Sequence, residues 1–174
     1  MIEKGYLKYV APLLLFIFML LDAHVNRLFT LFFSDDYQMN AHIMILVLLV
    51  VSEVLDKRFA IGTMLVIGVL YDLYYIGVIG IYAVILPLTA ALIYLFGRVI
   101  HQSMLTLFFS MIIFVTFFEL GSTLLQMAFQ LAHVNNQLFV TRFLGPTLGM
   151  NILLFILLIF PLRKVLIQKN ASLE

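Results

Sequence analysis

Residues 59–97 read FAIGTMLVIGVLYDLYYIGVIGIYAVILPLTAALIYLFG, and this apolar stretch decides the fold. A single helix of that length would extend about 58 Å, nearly twice the roughly 30 Å of a bilayer's hydrocarbon core. The stretch must therefore turn back, and Gly77 and Gly80 are the predicted turn because glycine adopts positive φ at little cost. Asp72 is its one carboxylate. Insertion of a carboxylate into hydrocarbon costs roughly 2.5–3.5 kcal/mol, so Asp72 is a candidate functional residue.

The composition of the whole chain supports a membrane setting. Hydrophobic residues make up 64% and charged residues 11% of the 174 residues, and the mean hydropathy is +1.15. Soluble domains carry about 45–50% apolar and about 25% charged residues, so this chain has too little polar surface for a water-soluble globule. The first apolar block, Val10 to Leu21, lacks a small-residue cleavage site after it and is predicted to be a retained span.

Charge and cysteine content exclude several functions. The formal net charge is +1, which gives no electrostatic basis for binding nucleic acid. The chain has no cysteine, so disulfides, thiolate metal sites and a cysteine nucleophile are excluded.

About 20 residues are needed for each membrane crossing, and this length predicts six transmembrane helices in one domain, residues 1–174. The fold class is an all-α integral membrane protein. The predicted spans are about 6–25, 39–55, 59–75, 81–97, 103–131 and 143–162. A separate amphipathic segment, Asn26 to Phe33, is expected to follow the first span.

The distribution of basic residues predicts the orientation. Arg27 and Arg142 lie on one side of the six predicted crossings. The other eight of the ten lysines and arginines lie on the opposite side: Lys4, Lys8, Lys57, Arg58, Arg98, Arg163, Lys164 and Lys169. Loops rich in lysine and arginine stay in the cytoplasm, so both termini are predicted to be cytoplasmic.

Three carboxylates fall at similar depth in the outer half of the predicted bundle. At 1.5 Å per residue, Asp22, Asp72 and Glu119 lie about 20–24 Å from the cytoplasmic edge. The fifth predicted helix also carries a polar stripe at helical spacing: Glu119, Ser122, Thr123, Gln126 and Gln130. Asp22, Glu119 and Gln126 are therefore intramembrane polar candidates.

Two interpretations of these polar groups stay open. In the first they hold helices together by hydrogen bonds, and the acids pair with Arg142 or Arg27. In the second they line an outward-open cavity that binds a ligand or carries a proton or cation.

The sequence gives no support for catalysis. His24, His42, His101 and His133 are spread over loops and span ends at no metal-ligand spacing, so each is expected to be interfacial. Zincin, P-loop and glycine-rich phosphate motifs are missing from the sequence. We expect no enzymatic activity, no cofactor and no metal.

Two segments carry a resemblance to a known family. The first is Gly68-x-x-x-Asp72, followed by the Gly77/Gly80 turn and a fourth apolar span. The second, at the start of the last helix, is Arg142-Phe143-x-x-Pro146-Thr147-x-x-x-Asn151. With these segments in order, the chain resembles the rod shape-determining protein MreD family over nearly its whole length.

The resemblance implies a non-enzymatic scaffold of the bacterial cell-elongation and peptidoglycan-synthesis machinery, located in the cytoplasmic membrane. Such a protein binds MreC and helps couple MreB filaments to the peptidoglycan polymerase and its class B penicillin-binding protein. Motif residues are carried over with structural roles only: Gly68, Asp72, Gly77, Gly80, Arg142, Pro146 and Asn151.

An alternative comes from another class of membrane protein. Substrate-binding subunits of energy-coupling-factor vitamin transporters are similar in size and helix count, and a similar bundle is expected. They bind ligand in the outer half, where the three acids lie. Their first helix carries small-x-x-x-small residues for docking, whereas residues 13–21 here, LLLFIFMLL, contain none.

Overall fold

A computed structural model describes residues 3–32, 38–131, 139–164 and 166 of the chain. Within these ranges the regular structure is helical, without a β-strand, which confirms the all-α prediction. The seven α-helices are α1 (Glu3–Phe32), α2 (Ile43–Val51), α3 (Lys57–Tyr71), α4 (Tyr82–Leu95), α5 (Gly97–Ile100), α6 (Met104–Ala128) and α7 (Gly145–Arg163). Two π-helical segments, Asp72–Ile76 and Phe139–Leu144, extend α3 and precede α7.

Among the described residues, four segments are long and apolar enough to cross a membrane. They are Val10–Phe29, Lys57–Ile76, Met104–Ala128 and Phe139–Arg163. These correspond to four of the six predicted spans. The remaining two, 39–55 and 81–97, contain the shorter helices α2 and α4.

The prediction of a separate amphipathic segment after the first span is wrong. Helix α1 continues to Phe32, so the segment from Asn26 onward is its last turns rather than a separate element. Residues 26–32 contain neither glycine nor proline. Asn26 is half-buried, and its side-chain oxygen accepts a hydrogen bond from the backbone of Ala41. Residues 26–32 therefore contain no helix breaker, and Asn26 has a hydrogen-bond partner in Ala41 while it stays within α1.

The second predicted span is a short central helix. All nine residues of α2 are buried, at 8% exposure or less. Nine residues extend only about 14 Å, so α2 alone is shorter than a bilayer core. Its sequence, IMILVLLVV, is apolar on every side, which is typical of a helix enclosed by other helices. Helices α1, α6 and α7 pack around it.

Helices α3 and α4 form a close hairpin. The turn between them contains Gly77 at φ +75° and Gly80 at φ +125°, as the glycine pattern predicts. A Cβ atom on Gly68 would lie 2.7 Å from the carbonyl carbon of Tyr82 and 2.8 Å from Cα of Ala83. Only glycine at this position allows the two backbones to approach so closely.

The bundle has two chemically different ends. The basic end contains the N-termini of α3 and α6 and the C-termini of α2, α4 and α7. There Glu53 Oε2 lies 3.5 Å from Arg163 Nη2 and 3.9 Å from His101 Nδ1. Ser52 Oγ lies 3.2 Å from His101 Nε2. Burial lowers the pKa of His101 below its usual value, against the opposing effect of the negative charge on Glu53. The opposite end, which we call the polar end, contains the N-termini of α2 and α4 and the candidate site.

Candidate functional site

Side chains of α1 hold the N-terminus of α2. Asp22 Oδ1 accepts the backbone N–H of Ile43 at 2.8 Å, and Asp22 Oδ2 accepts that of Met44 at 2.9 Å. Asn26 Oδ1 accepts the N–H of Ala41 at 2.6 Å. The first N–H groups of a helix have no partner within it and carry partial positive charge, so a carboxylate there both bonds and neutralises them.

Helix α7 holds the same segment from the other side. Asn151 Oδ1 accepts the N–H of His42 at 2.8 Å, while Asn151 Nδ2 donates to the carbonyl oxygens of Asn40 and Thr147, both at 2.7 Å. Thr147 Oγ1 accepts the N–H of Asn40 at 3.2 Å. Positions 147 and 151 are four residues apart, so they share one helix face.

Helix α6 contributes Glu119. Its Oε1 atom lies 2.6 Å from Nε2 of His42 and accepts a hydrogen bond from Asn40 Nδ2 at 3.0 Å. Glu119 is 3% exposed and His42 is 8% exposed. The ring of Phe118 packs edge-on against the imidazole, with 5.0 Å between centroids. The acid and the imidazole are therefore a buried, mutually bonded pair.

Together these groups form what we call the α2 cap: Asp22, Asn26, Asn40, His42, Glu119, Thr147 and Asn151. Throughout the described part of the chain, every buried side-chain nitrogen or oxygen has a hydrogen-bond partner. Buried polar groups are stable only when they are bonded in this way. The arrangement favours the structural interpretation of Asp22 and Glu119, since both are engaged in fixing the start of α2.

Asp72 forms a second cap, on α4. Its Oδ2 accepts the N–H groups of Gly80 at 2.8 Å and Ala83 at 3.0 Å, and its Oδ1 accepts that of Tyr82 at 2.9 Å. The side chain is fully buried. The carboxylate finds its partners in the backbone at the start of α4, whereas the sequence suggested the side chain of Arg142. We call Asp72 and its three bonds the α4 cap.

The other predicted residues are placed as follows. Arg142 is exposed in the second π-helical segment, and its carbonyl oxygen accepts the N–H of Gln38 at 3.0 Å. Pro146 lies in the first turn of α7, where its missing N–H costs nothing. Gln126 is half-buried and lies one turn beyond the buried Ser122.

Sequence reasoning missed His42, Asn40 and Thr147 as cap residues. The expectation that His42 is interfacial did not anticipate its burial against Glu119. The signal was present in the sequence: Asn40-Ala41-His42 directly precedes a run of nine apolar residues, and such polar residues are typical of a helix start. His133 lies outside the described residues, and His24 is exposed on α1.

A cavity of about 350 Å³ opens beside the α2 cap. The interpretation that polar groups line a cavity therefore has a structural counterpart, although Asp22 is also bonded to backbone. The residues that line it are Met19, Asp22, Ala23, Asn26, Arg27, Asn40, Ala41, His42, Met44, Tyr71, Tyr75, Tyr82 and Phe118.

The fold and the site define a class of protein. It is an apolar helical membrane protein in which buried polar groups hold the N-termini of helices at one end of the bundle. Within the described residues, no group of three or more metal-ligating side chains is present. The family model for rod shape-determining protein MreD matches residues 7–169. The cell shape-determining protein MreD of Streptococcus pneumoniae (strain ATCC BAA-255 / R6) is 31% identical over 141 residues, 81% of this chain and 85% of that protein. No solved structure matches.

The chain therefore belongs to the MreD family, and its role lies in determining cell shape. This confirms the resemblance drawn from the Gly68/Asp72 segment and the Arg142–Asn151 segment.

Proposed function

We propose that the protein is a non-enzymatic scaffold of bacterial cell elongation that crosses the cytoplasmic membrane six times and binds MreC. Through MreC it links MreB filaments to the peptidoglycan polymerase and class B penicillin-binding protein. The family match over residues 7–169 is the observation that carries the proposal.

The path of the chain supports six crossings. The start of α2 lies at the polar end, beside Asp22 and Glu119. Its other end lies at the basic end, where Ser52 contacts His101 and Glu53 contacts Arg163. The chain thus traverses the bundle between residues 38 and 56, although only nine of these residues are in α2. Helix α4, about 21 Å long, returns from the polar end.

The basic end is assigned to the cytoplasm. Arg163 and the N-terminus of α3, with Lys57 and Arg58, lie there. Arg27 lines the cavity at the polar end. This asymmetry agrees with the preference of lysine and arginine for the cytoplasmic side, and it supports an outward-facing polar end.

The use of the buried polar groups supports a scaffold rather than an enzyme. A catalytic acid or base must reach a substrate atom at hydrogen-bond distance. Asp72 has three backbone partners and Asp22 has two. Glu119 is bonded to both His42 and Asn40. These carboxylates stabilise helix starts.

Exposed apolar faces of α6 and α7 are the proposed contact for the membrane helix of MreC. On α6 the exposed side chains recur at helical spacing. On α7 a second group lies in the C-terminal half of the helix. They are Leu105, Phe109, Ile113, Leu120 and Leu124 on α6, and Leu153, Ile156, Leu157 and Phe160 on α7. Helix association in lipid depends on close packing of such surfaces rather than on hydrophobicity.

Site-specific photo-crosslinking in cells tests both the partner and the face. A crosslinking amino acid at Ile113 or Ile156 should yield an adduct with MreC. The matched control is Ile17, which is exposed on α1. In parallel, depletion of the protein should round or widen the cells. Normal shape on depletion, together with no MreC adduct from any of the three positions, would remove the proposal.

One observation favours the transporter alternative. The cavity lies at the polar end, where a substrate-binding subunit holds its ligand. Against it, Leu13, Ile17 and Leu21 expose large side chains on α1 where small docking residues are expected. A vitamin that raises the unfolding midpoint of the purified protein would support the transporter, and a null result across a vitamin panel would count against it.

A further inference from the structure

The cavity beside the α2 cap has an uneven distribution of charge. One acidic and two basic side chains line it: Asp22, Arg27 and His42. His42 is bonded to Glu119 at 2.6 Å, so those two groups compensate each other. Asp22 and Arg27 remain, five residues apart on α1, which is about 7.5 Å along the helix axis. The lining therefore presents one carboxyl group and one guanidinium group at separate places.

Asp22 retains capacity to accept further hydrogen bonds. Each carboxylate oxygen has two lone pairs, and each oxygen of Asp22 receives one backbone N–H. The residue is 7% exposed and lines the cavity. A donor within the cavity can thus reach the carboxylate while the α2 cap stays intact. Arg27 is exposed and lies nearer the end of the bundle.

A row of aromatic rings also lines the cavity. Tyr71 stacks on Tyr82 with 4.2 Å between ring centroids and contacts Tyr75 at 4.7 Å. Tyr82 in turn meets Phe118 edge-on at 5.4 Å. Aromatic faces attract cations, and the attraction grows when water is excluded. A carboxyl group and aromatic rings in the same cavity favour a positively charged group there.

The cavity ends against apolar protein. Met44 in the first turn of α2 is part of its lining, and the rest of α2 is apolar and buried. A charged ligand that enters from the polar end has no polar continuation along α2, so the geometry suits binding rather than passage. The volume of about 350 Å³ lies at the small end of ligand sites, which run from about 300 to 1,000 Å³.

We propose that this cavity binds a small zwitterion with a primary ammonium group and an acid group. The ammonium lies between Asp22 and the tyrosine row, and the acid group lies at Arg27. Two sources share this chemistry: a water-soluble amino compound and the ethanolamine phosphate headgroup of a lipid. The site is additional to the proposed scaffold role and does not depend on it.

Thermal unfolding of the full chain in a maltoside detergent tests the site. The chain has no tryptophan, so unfolding is followed by circular dichroism. The zwitterionic probes are glycerophosphoethanolamine and dihexanoyl phosphatidylethanolamine. Ethanolamine and glycerol phosphate, which carry one charge type each, are the controls. We expect a zwitterion at 10 mM to raise the midpoint by at least ~2 °C and the controls to shift it much less.

Two variants locate the effect. Arg27→Gln and Tyr75→Leu alter the cavity wall without touching the α2 cap, so both should fold and lose the shift. Arg58→Gln, exposed at the basic end, should keep it. A response to the lipid alone supports a headgroup site, and a response to the soluble probe supports a free ligand. The proposal is overturned if neither zwitterion shifts the midpoint, if single-charge controls act equally, or if Arg27→Gln responds fully.

Discussion

The α2 cap and the α4 cap both bond N–H groups at the start of a helix, but they use different sets of side chains. Both hold the N-terminus of a helix that starts inside the bundle. The α4 cap depends on one carboxylate, Asp72, and bonds residues only 8 to 11 positions away. The α2 cap divides the task among seven side chains, and its bonds join residues up to 111 positions apart. One cap is local and concentrated, whereas the other is shared among α1, α6 and α7.

This difference predicts how much the loss of one side chain disturbs each cap. Loss of Asp72 leaves three partly buried N–H groups without their acceptor at once. Loss of one member of the α2 cap leaves the rest in place, although it loosens the packing of three helices. The predictions below run from the largest expected effect to the smallest.

The largest effect is expected for Asp72→Ala. A buried donor left without a partner costs about 1–3 kcal/mol. The three donors here are partly buried, so together they should lower the free energy of unfolding by about 3 kcal/mol. Asp72→Asn keeps one oxygen and should lose less, about 1–3 kcal/mol. Unfolding in SDS, followed by circular dichroism, measures both. Equal stability of both variants and the unmodified protein would contradict the α4 cap.

Gly68→Ala comes next. The new Cβ would press on the backbone of Tyr82 and Ala83, and overpacking of this kind costs about 1–3 kcal/mol. Gly62→Ala on the same helix is the matched control, because nothing lies within 4 Å of its Cβ position. Alanine there should be neutral or stabilise by up to about 1 kcal/mol. A similar loss at both positions would show that close α3–α4 contact is not the cause.

A single change in the α2 cap should have a smaller effect. Asn26→Ala removes the acceptor for the N–H of Ala41 and should cost about 1–2 kcal/mol. Thr147→Val removes the acceptor for the N–H of Asn40 from the opposite side. Because both hold one short segment, the double variant should lose more than the sum, with a coupling of about 0.5–3 kcal/mol. Strict additivity would show that the cap is not shared.

The smallest effect concerns pH and lies at the basic end. Burial lowers the pKa of His101 in the folded protein, so the unfolded chain binds its proton more readily. The contribution of His101 to the free energy of unfolding should therefore be fully present above the ordinary histidine pKa, about 6.5. It should be lost as the pH decreases below that value. Unfolding in SDS at pH 7.5 and pH 5.5 measures the fall. His101→Gln should reduce the dependence, whereas His24→Gln, at an exposed position, should keep it.

Local features of the fold were predictable from the sequence. The turn at Gly77 and Gly80 follows from the length of the apolar stretch and the need for positive φ. The depth of Asp22, Asp72 and Glu119 follows from the helical rise, and the structure places all three at helix starts of one end. These predictions depend on residues close to one another in the chain.

Long-range features were not predictable in the same way. The start of α2 is held by side chains that bond residues 40–44, and these come from residues 22, 26, 119, 147 and 151. Hydropathy cannot distinguish a helix surrounded by protein from one surrounded by lipid, so residues 39–55 read as an ordinary span. His42 was likewise not recognised as a cap residue because its partner, Glu119, lies 77 residues away.

The central claim is that the buried acids at the polar end hold helices in place. Asp72→Asn tests it most directly, when the unfolding midpoint and the recovery of MreC are measured on the same preparation. The account predicts that the midpoint falls and that MreC recovery per folded molecule stays unchanged. An unchanged midpoint with lost recovery of MreC would contradict the account and assign Asp72 a direct role in binding.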